Sequence, residues 1–226
     1  MDILYFFKHR TAFIRQFYEQ AAHPFLEIKR KIDAEEEPFV PPYSEDGEPP
    51  FLAEWTEADE SLQILGYMCV SMLSAALQLF VSTWTNEFVG ATEAYKTDFK
   101  KGSWFNRYRD LYRQRLKLDW ASGPANSKLL EELVLARNRI QHPDTITSLT
   151  VSHPAPEEKE QPQVLFIEEG ERQMFKDLGG DEKSWLLPPP LHVTKEKLFA
   201  AITEAEKFCE WIDSEFLPRR YTHGAD

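Results

Sequence analysis

Apolar residues recur at intervals of three and four along most of this chain, the period of helices that bury one face. From residue 2 to about 33 the recurring positions are Phe6, Phe7, Phe13, Ile14, Phe17, Tyr18, Phe25 and Ile28. They predict one long helix, kinked or split near Ala22 by Pro24. Thr56, followed by Glu57 and Asp59, marks a second helix start, and that helix is expected to run to about Phe88. Its centre, Leu62 to Val81, is the most apolar stretch and reads as the middle of a bundle. After a break near Gly90, residues 92 to 118 read as two helical pieces parted around Gly102. Ser122-Gly123-Pro124 is a turn. The next helix spans Asn126 or Ser127 to Gln141 and cannot continue past Pro143. Thr194 caps a last helix with the apolar stripe Leu198, Ala201, Ile202, Ala205, Phe208, Cys209 and Ile212. The tail from Pro218 is expected to fray.

Two stretches break the period. Residues 34 to 55 carry Glu35-Glu36-Glu37 and then Pro38, Pro41, Pro42, Pro49 and Pro50. They read as an acidic, proline-rich insert, with Phe39, Tyr43, Phe51 and Trp55 as candidate anchors. In residues 145 to 193, Ile146 to Val151 is rich in β-branched residues and Val164-Leu165-Phe166-Ile167 is a short apolar run. The two are expected to pair as a β-hairpin across His153 to Gln163. The fold class is therefore all-α, a bundle of four to five main helices with a small β-hairpin appendage, in one domain covering 1–226.

Composition narrows this further. The chain of 226 residues suits a single domain with additions. No run of 18 apolar residues occurs, so no membrane span is expected. The start Met1-Asp2-Ile3-Leu4 lacks a basic region followed by a cleavage site, so no secretory signal is read. Cys69 and Cys209 fall within helices and read as reduced core thiols, which suits a cytoplasmic protein. The net charge is −12, which by itself opposes binding to a polyanion. The charge is uneven, however. Asp33 to Glu60 holds eleven acidic residues and no basic one, whereas Lys96 to Lys117 holds eight basic residues and two acidic ones.

The candidate chemistry lies at the end of the helix that stops before Pro143, in Leu135-Ala136-Arg137-Asn138-Arg139-Ile140-Gln141-His142. At 100° per residue Leu129, Leu133, Ala136 and Ile140 form a stripe that Leu130 and Val134 widen. Arg137 falls inside that arc. Glu131, Asn138 and His142 form a polar strip beside it. An arginine can grip a phosphate in two places, and a histidine can move a proton near neutral pH. The structural alternative is an Arg137 paired with a carboxylate of a neighbouring helix, and a His142 that only ends its own helix.

Arginine, a polar residue, three more residues and a histidine at a helix end resembles the signature of the HEPN family (higher eukaryotes and prokaryotes nucleotide-binding). The matching residues are Arg137, Asn138 and His142. The resemblance covers about residues 57 to 215, leaving the acidic insert and the hairpin unaccounted for. It implies a helical bundle and a metal-independent endoribonuclease without cofactor. His142 would be the general base on the ribose 2′-hydroxyl or the acid toward the leaving 5′-oxygen. Arg137 would stabilise phosphate charge, Asn138 would orient an oxygen, and the product would be a 2′,3′-cyclic phosphate. It further implies a homodimer with the two motif helices facing each other, the arc around Arg137 meeting the partner subunit. It also implies a toxin or antiphage role with an antitoxin or other regulatory protein. Some members carry a tyrosine two residues after the histidine that a partner enzyme nucleotidylates. Here Pro143 and Asp144 follow, so that mode is not expected.

The basic segment supplies candidate RNA contacts: Lys100, Lys101, Arg107, Arg109, Arg113 and Arg115, with Arg139 inside the motif. Tyr95, Phe99, Trp104, Phe105, Tyr108 and Tyr112 interleave with them and would stack on unpaired bases. Two plainer readings stand beside this one. The aromatics turn to the core, or the basic segment neutralises the acidic insert. The remaining histidines have no metal-ligand spacing, and no phosphate-binding glycine loop is present.

Overall fold

The computed structural model describes residues 2–43, 49–90, 103–143, 146–153, 165–171, 173 and 190–223. Helix α1, Ile3–Asp33, begins where the Asp2 carboxylate accepts the Tyr5 N–H at 2.8 Å. It passes through Pro24 without interruption. Ile3, Phe7, Ile14, Tyr18 and Ala22 form its buried stripe.

Helix α2, Leu52–Phe88, starts four residues before the expected Thr56. The cause is tertiary. Phe51 adopts a left-handed conformation (φ 58°) with its ring edge-on to Phe39, 5.3 Å between centroids. Trp55 then docks on α1, donating its indole N–H to Asp33 and stacking under Lys29. Three of the four candidate anchors therefore hold the described part of the insert. Tyr43, 92% exposed, does not. Among the described residues α2 alone has the length and hydropathy of a membrane span. Its residues Val70, Leu73, Leu77 and Val81 are nevertheless fully buried at the centre of the bundle.

Helix α3, Trp104–Leu111, is capped by Ser103 and runs into a wide π turn at Tyr112–Leu116. That turn ends at Lys117 in the left-handed region (φ 55°). It buries Tyr112 and Leu118 while Arg113, Arg115 and Lys117 face solvent. Helix α4, Ser127–Gln141, opens at Asn126, whose side chain accepts the Leu129 N–H, and closes at His142. Helix α5, Lys195–His223, begins at Thr194. Instead of fraying at Pro218 it continues through it. Arg219 donates to the Leu116 carbonyl, and Arg220 meets Glu87 at 2.5 Å and lies over the Trp84 ring. These anchors hold a turn that proline alone would weaken.

The pairings set the helix directions. Phe7 meets Phe80 and Lys29 meets Asp59, so α1 and α2 are antiparallel. Lys8–Glu210 and Lys195–Glu19 make α1 antiparallel to α5. Glu204 accepts the Asn126 N–H, and Trp211 packs on Gly123 so closely that a Cβ there would clash at 2.7 Å. Helices α1 and α4 each pack on α2 and α5, across the bundle from one another. This is an up-down-up-down four-helix arrangement, with α3 and the π turn beyond the N-terminus of α4. Cys69 and Cys209 are free and buried.

The β-hairpin is not formed by the described residues, and 154–164 lie outside them. Ile146 to Thr150 is exposed. Ser152 makes an isolated bridge to Pro190, and Val151 accepts the Leu191 N–H. The apolar run reads as a strand but is satisfied by side chains. Glu132 accepts the Leu165 N–H, His153 binds the Phe166 carbonyl, and Lys197 donates to the Ile167 carbonyl. With Phe166 and Ile167 each 1% exposed, the run is a plug against α4 and α5 rather than a ladder.

Candidate functional site

Helix α4 turns Leu130, Leu133, Val134 and Ala136 into the core, at 0–2% exposure. Its apolar arc is covered by α2 and α5 of the same chain. The expectation that this arc meets a partner subunit therefore loses its premise. Arg137 points along the arc but lies near its end, where it is only half-buried. Its guanidinium Nη1 donates to Asn138 Oδ1 at 3.0 Å. Among the described residues no carboxylate lies within 4.0 Å of it, so the sealing ion pair of the structural alternative is absent there.

His142 is exposed. Its backbone N–H bonds the carbonyls of Asn138 and Arg139, both at 3.1 Å, so it ends the helix with its main chain and leaves its ring to solvent. Asn138 precedes it by one turn on the same strip. Arg137, Asn138 and His142 thus lie at one helix end, with Arg137 bonded to the Asn138 side chain and His142 bonded through its main chain to the Asn138 carbonyl.

Arg139 corrects the expectation of phosphate contact. It is drawn inward, and its Nη1 lies 3.0 Å from His153 Nδ1. An arginine only donates and a carbonyl only accepts. Nδ1 therefore accepts from Arg139, and His153 Nε2–H donates to the Phe166 carbonyl at 2.7 Å. That fixes a neutral His153. Burial holds its pKa down at about 4, with the charges of Arg139 and Lys197 adding to the fall and the Phe166 bond opposing it. Burial also pulls Arg139 down to about 10, against the raising influence of Glu132. Glu132 and Arg139, seven apart, form a second polar strip on the other flank of the arc. That spacing was visible in the sequence. What it meets, residues 153 and 165–167, was not.

The basic segment is divided. Lys100 and Lys101 lie outside the described residues, as do Lys96, Tyr95 and Phe99. Arg107 is half-buried on α3. Arg109 reaches Glu131 at 3.3 Å, and Asn106 donates to the same carboxylate at 2.7 Å. Glu131 is eleven residues before His142, about 16 Å along a helix. Arg113, 3.7 Å from Asp110, and Arg115 are exposed on the π turn. Arg219, expected in a frayed tail, joins them there. Along α5 that turn lies by Arg219, whereas the end of α4 lies by Lys197. Twenty-two residues separate these positions, about 33 Å.

Base stacking is corrected for three of the six aromatics; Tyr108 is half-buried, and Tyr95 and Phe99 lie outside the described residues. Trp104, Phe105 and Tyr112 are buried. Phe105 and Tyr112 pack edge-on to Trp120, and Tyr112 edge-on to Phe216. Nor does the described part of the basic segment, 103–117, neutralise the described part of the insert, which lies between α1 and α2 at the other end of the bundle. There Arg30 clamps Glu27 and Glu36, each at 2.7 Å. His142 lies toward that acidic end. Among the described residues no three His, Cys, Asp or Glu side chains gather as a metal site.

Comparison with known protein families, curated proteins and solved structures yields no match to this chain.

Proposed function

We propose that this protein is a metal-independent endoribonuclease of the HEPN type, working at the end of α4. The observation that carries the reading is the open Arg137–Asn138–His142 group: a cation without a carboxylate among the described residues, steadied by an amide and followed one turn on by an exposed imidazole. In the reaction His142 takes the proton of a ribose 2′-hydroxyl, whose oxygen attacks the adjacent phosphorus and expels the 5′-oxygen, which takes up a proton from water or from the imidazolium of His142. A 2′,3′-cyclic phosphate and a 5′-hydroxyl result. Arg137 receives the charge growing on the phosphate oxygens, and Asn138 holds the guanidinium in place. The family resemblance adds a homodimer bringing two α4 ends together, a cytoplasmic toxin or defence role and a regulatory protein partner. Light scattering tests the dimer. The direct test is incubation with RNA in EDTA, scoring 2′,3′-cyclic ends, with His142→Ala as control.

A second reading is a non-catalytic bundle that binds RNA or serves as an interaction module. The separation of the basic π turn from the end of α4, and the acidic insert on the side of His142, favour it. RNA binding without cleavage, lost on reversing Arg113 and Arg115, would establish it.

A further inference from the structure

The outer face of α1 and α2 is unlike the rest of this charged surface. From Ser61 to Asn86 the sequence has no charged residue. On that stretch Met68 and Leu79 are each 51% exposed, and across the groove on α1 Phe6 and Phe13 are each 52% exposed. Scattered apolar side chains are ordinary on a surface, but a contiguous apolar strip marks an interaction site.

The strip is shaped. Two hollows of about 300 and 440 Å³ lie end to end between the helices. Phe6 and Leu79 line the first, and Phe13 and Met72 the second, while Leu79 and Arg10 border both. Phe6 and Phe13 are seven residues apart, as are Met72 and Leu79. Because α1 and α2 are antiparallel, the hollows repeat at two helical turns, about 10.5 Å. An apolar face with anchors at i and i+7 fits that repeat, as in helix-in-groove recognition.

Arg10 decides the occupant. It stands where the hollows meet, is exposed, and has no carboxylate within 4.0 Å among the described residues. Its neighbour Lys8 is occupied by Glu210. A second copy seated through α1 would bring Arg10 against Arg10. One seated through the uncharged middle of α2, Ser61 to Asn86, would place no carboxylate over the hollows, leaving the guanidinium covered and unpaired, which is unfavourable. We propose that this groove docks an amphipathic helix of another protein, with two large apolar side chains seven residues apart and a carboxylate between them facing Arg10. The inference uses no residue of α4 and is independent of the nuclease reading.

The test uses the full chain and a fluorescein-labelled, alanine-rich stapled helix with Leu at i and i+7 and Glu at i+3 and i+4. A matched peptide carries Lys at the two Glu positions. By fluorescence anisotropy the Glu peptide binds at least tenfold more tightly than the Lys peptide, and Arg10→Glu reverses that preference. Phe13→Ser with Leu79→Ser, both half-exposed, weakens either peptide at least tenfold while the circular dichroism spectrum is kept. Failure of the wild type to bind the Glu peptide at millimolar concentration overturns the proposal, as does affinity unchanged by Arg10→Glu. A dimer seen by light scattering that Leu79→Ser dissolves overturns it in favour of a second copy. Binding of the wild type to phosphatidylcholine–phosphatidylserine vesicles, lost in the double variant, overturns it in favour of a membrane.

Discussion

Helix α4 carries two arginines two residues apart: Arg139 is bonded to a histidine, His153, whereas Arg137 shares its helix end with His142. Arg139 is half-buried and its His153 buried; Arg137, also half-buried, lies near the exposed end of the helix with His142. The contacts of the inner pair among the described residues are structural: Arg139 to His153, His153 to the Phe166 carbonyl, with Glu132 holding Leu165 beside them. The outer pair spends little. Among the described residues Arg137 has one side-chain bond, to Asn138, and His142 is exposed. The same residue types in one turn of helix are thus divided by what packs over them. A residue pattern marks where an arginine and a histidine can act together. Whether they do depends on segments distant in sequence.

The largest expected effect separates the arginines by stability. Arg139→Ala leaves Glu132 and His153 buried without their cation and should lower unfolding free energy by about 3 kcal/mol. Arg137→Ala, half-exposed, should stay within about 1 kcal/mol. Urea denaturation at pH 7 measures both, and equal losses would erase the distinction. Next comes pH. The folded pKa of His153, about 4, lies below its ordinary value of 6.5. The unfolded chain therefore binds the proton first, and stability falls as pH drops from 6.5 toward 4. The full loss is about 3 kcal/mol at 1.36 kcal/mol per unit. A His153→Phe variant should show a flatter profile over that window. An unchanged profile would place the titration elsewhere.

Smaller effects concern the two sides of the basic segment. Reversing Arg113 and Arg115 should weaken RNA binding and reduce the slope of log affinity against log salt by roughly 0.7 per lost contact. Arg109, already held by Glu131, should change the slope less. A larger change at Arg109 would reassign the RNA path to α3 and the middle of α4. Smallest is His142→Ala on stability. Its ring is exposed and the helix is closed by its main chain, so the shift should be about 0.5 kcal/mol or less.

The four long helices were legible because each buries one face along most of its length, and periodicity reports that directly. Asn126 and Pro143 bracketed α4 for the same local reason. The start of α2 was not legible, since Phe51 takes its conformation from Phe39. Nor was the persistence of α5 past Pro218, which rests on Arg219 and Arg220 finding Leu116 and Glu87. The run at 165–167 misled because a buried extended segment reads as a strand whether a ladder or side chains satisfy its backbone. At the site, the positions of Arg137, Asn138 and His142 were legible from the wheel. The capture of Arg139 was not, because His153 and Phe166 arrive from outside the helix.

The most direct test is cleavage of RNA in EDTA by wild type, His142→Ala and Arg139→Met, each confirmed folded by circular dichroism. Wild type and folded Arg139→Met should both give 2′,3′-cyclic ends, and His142→Ala should lose at least about a hundredfold. Cleavage by folded His142→Ala at the wild-type rate would contradict the proposed reaction, as would loss of cleavage in a folded Arg139→Met alone.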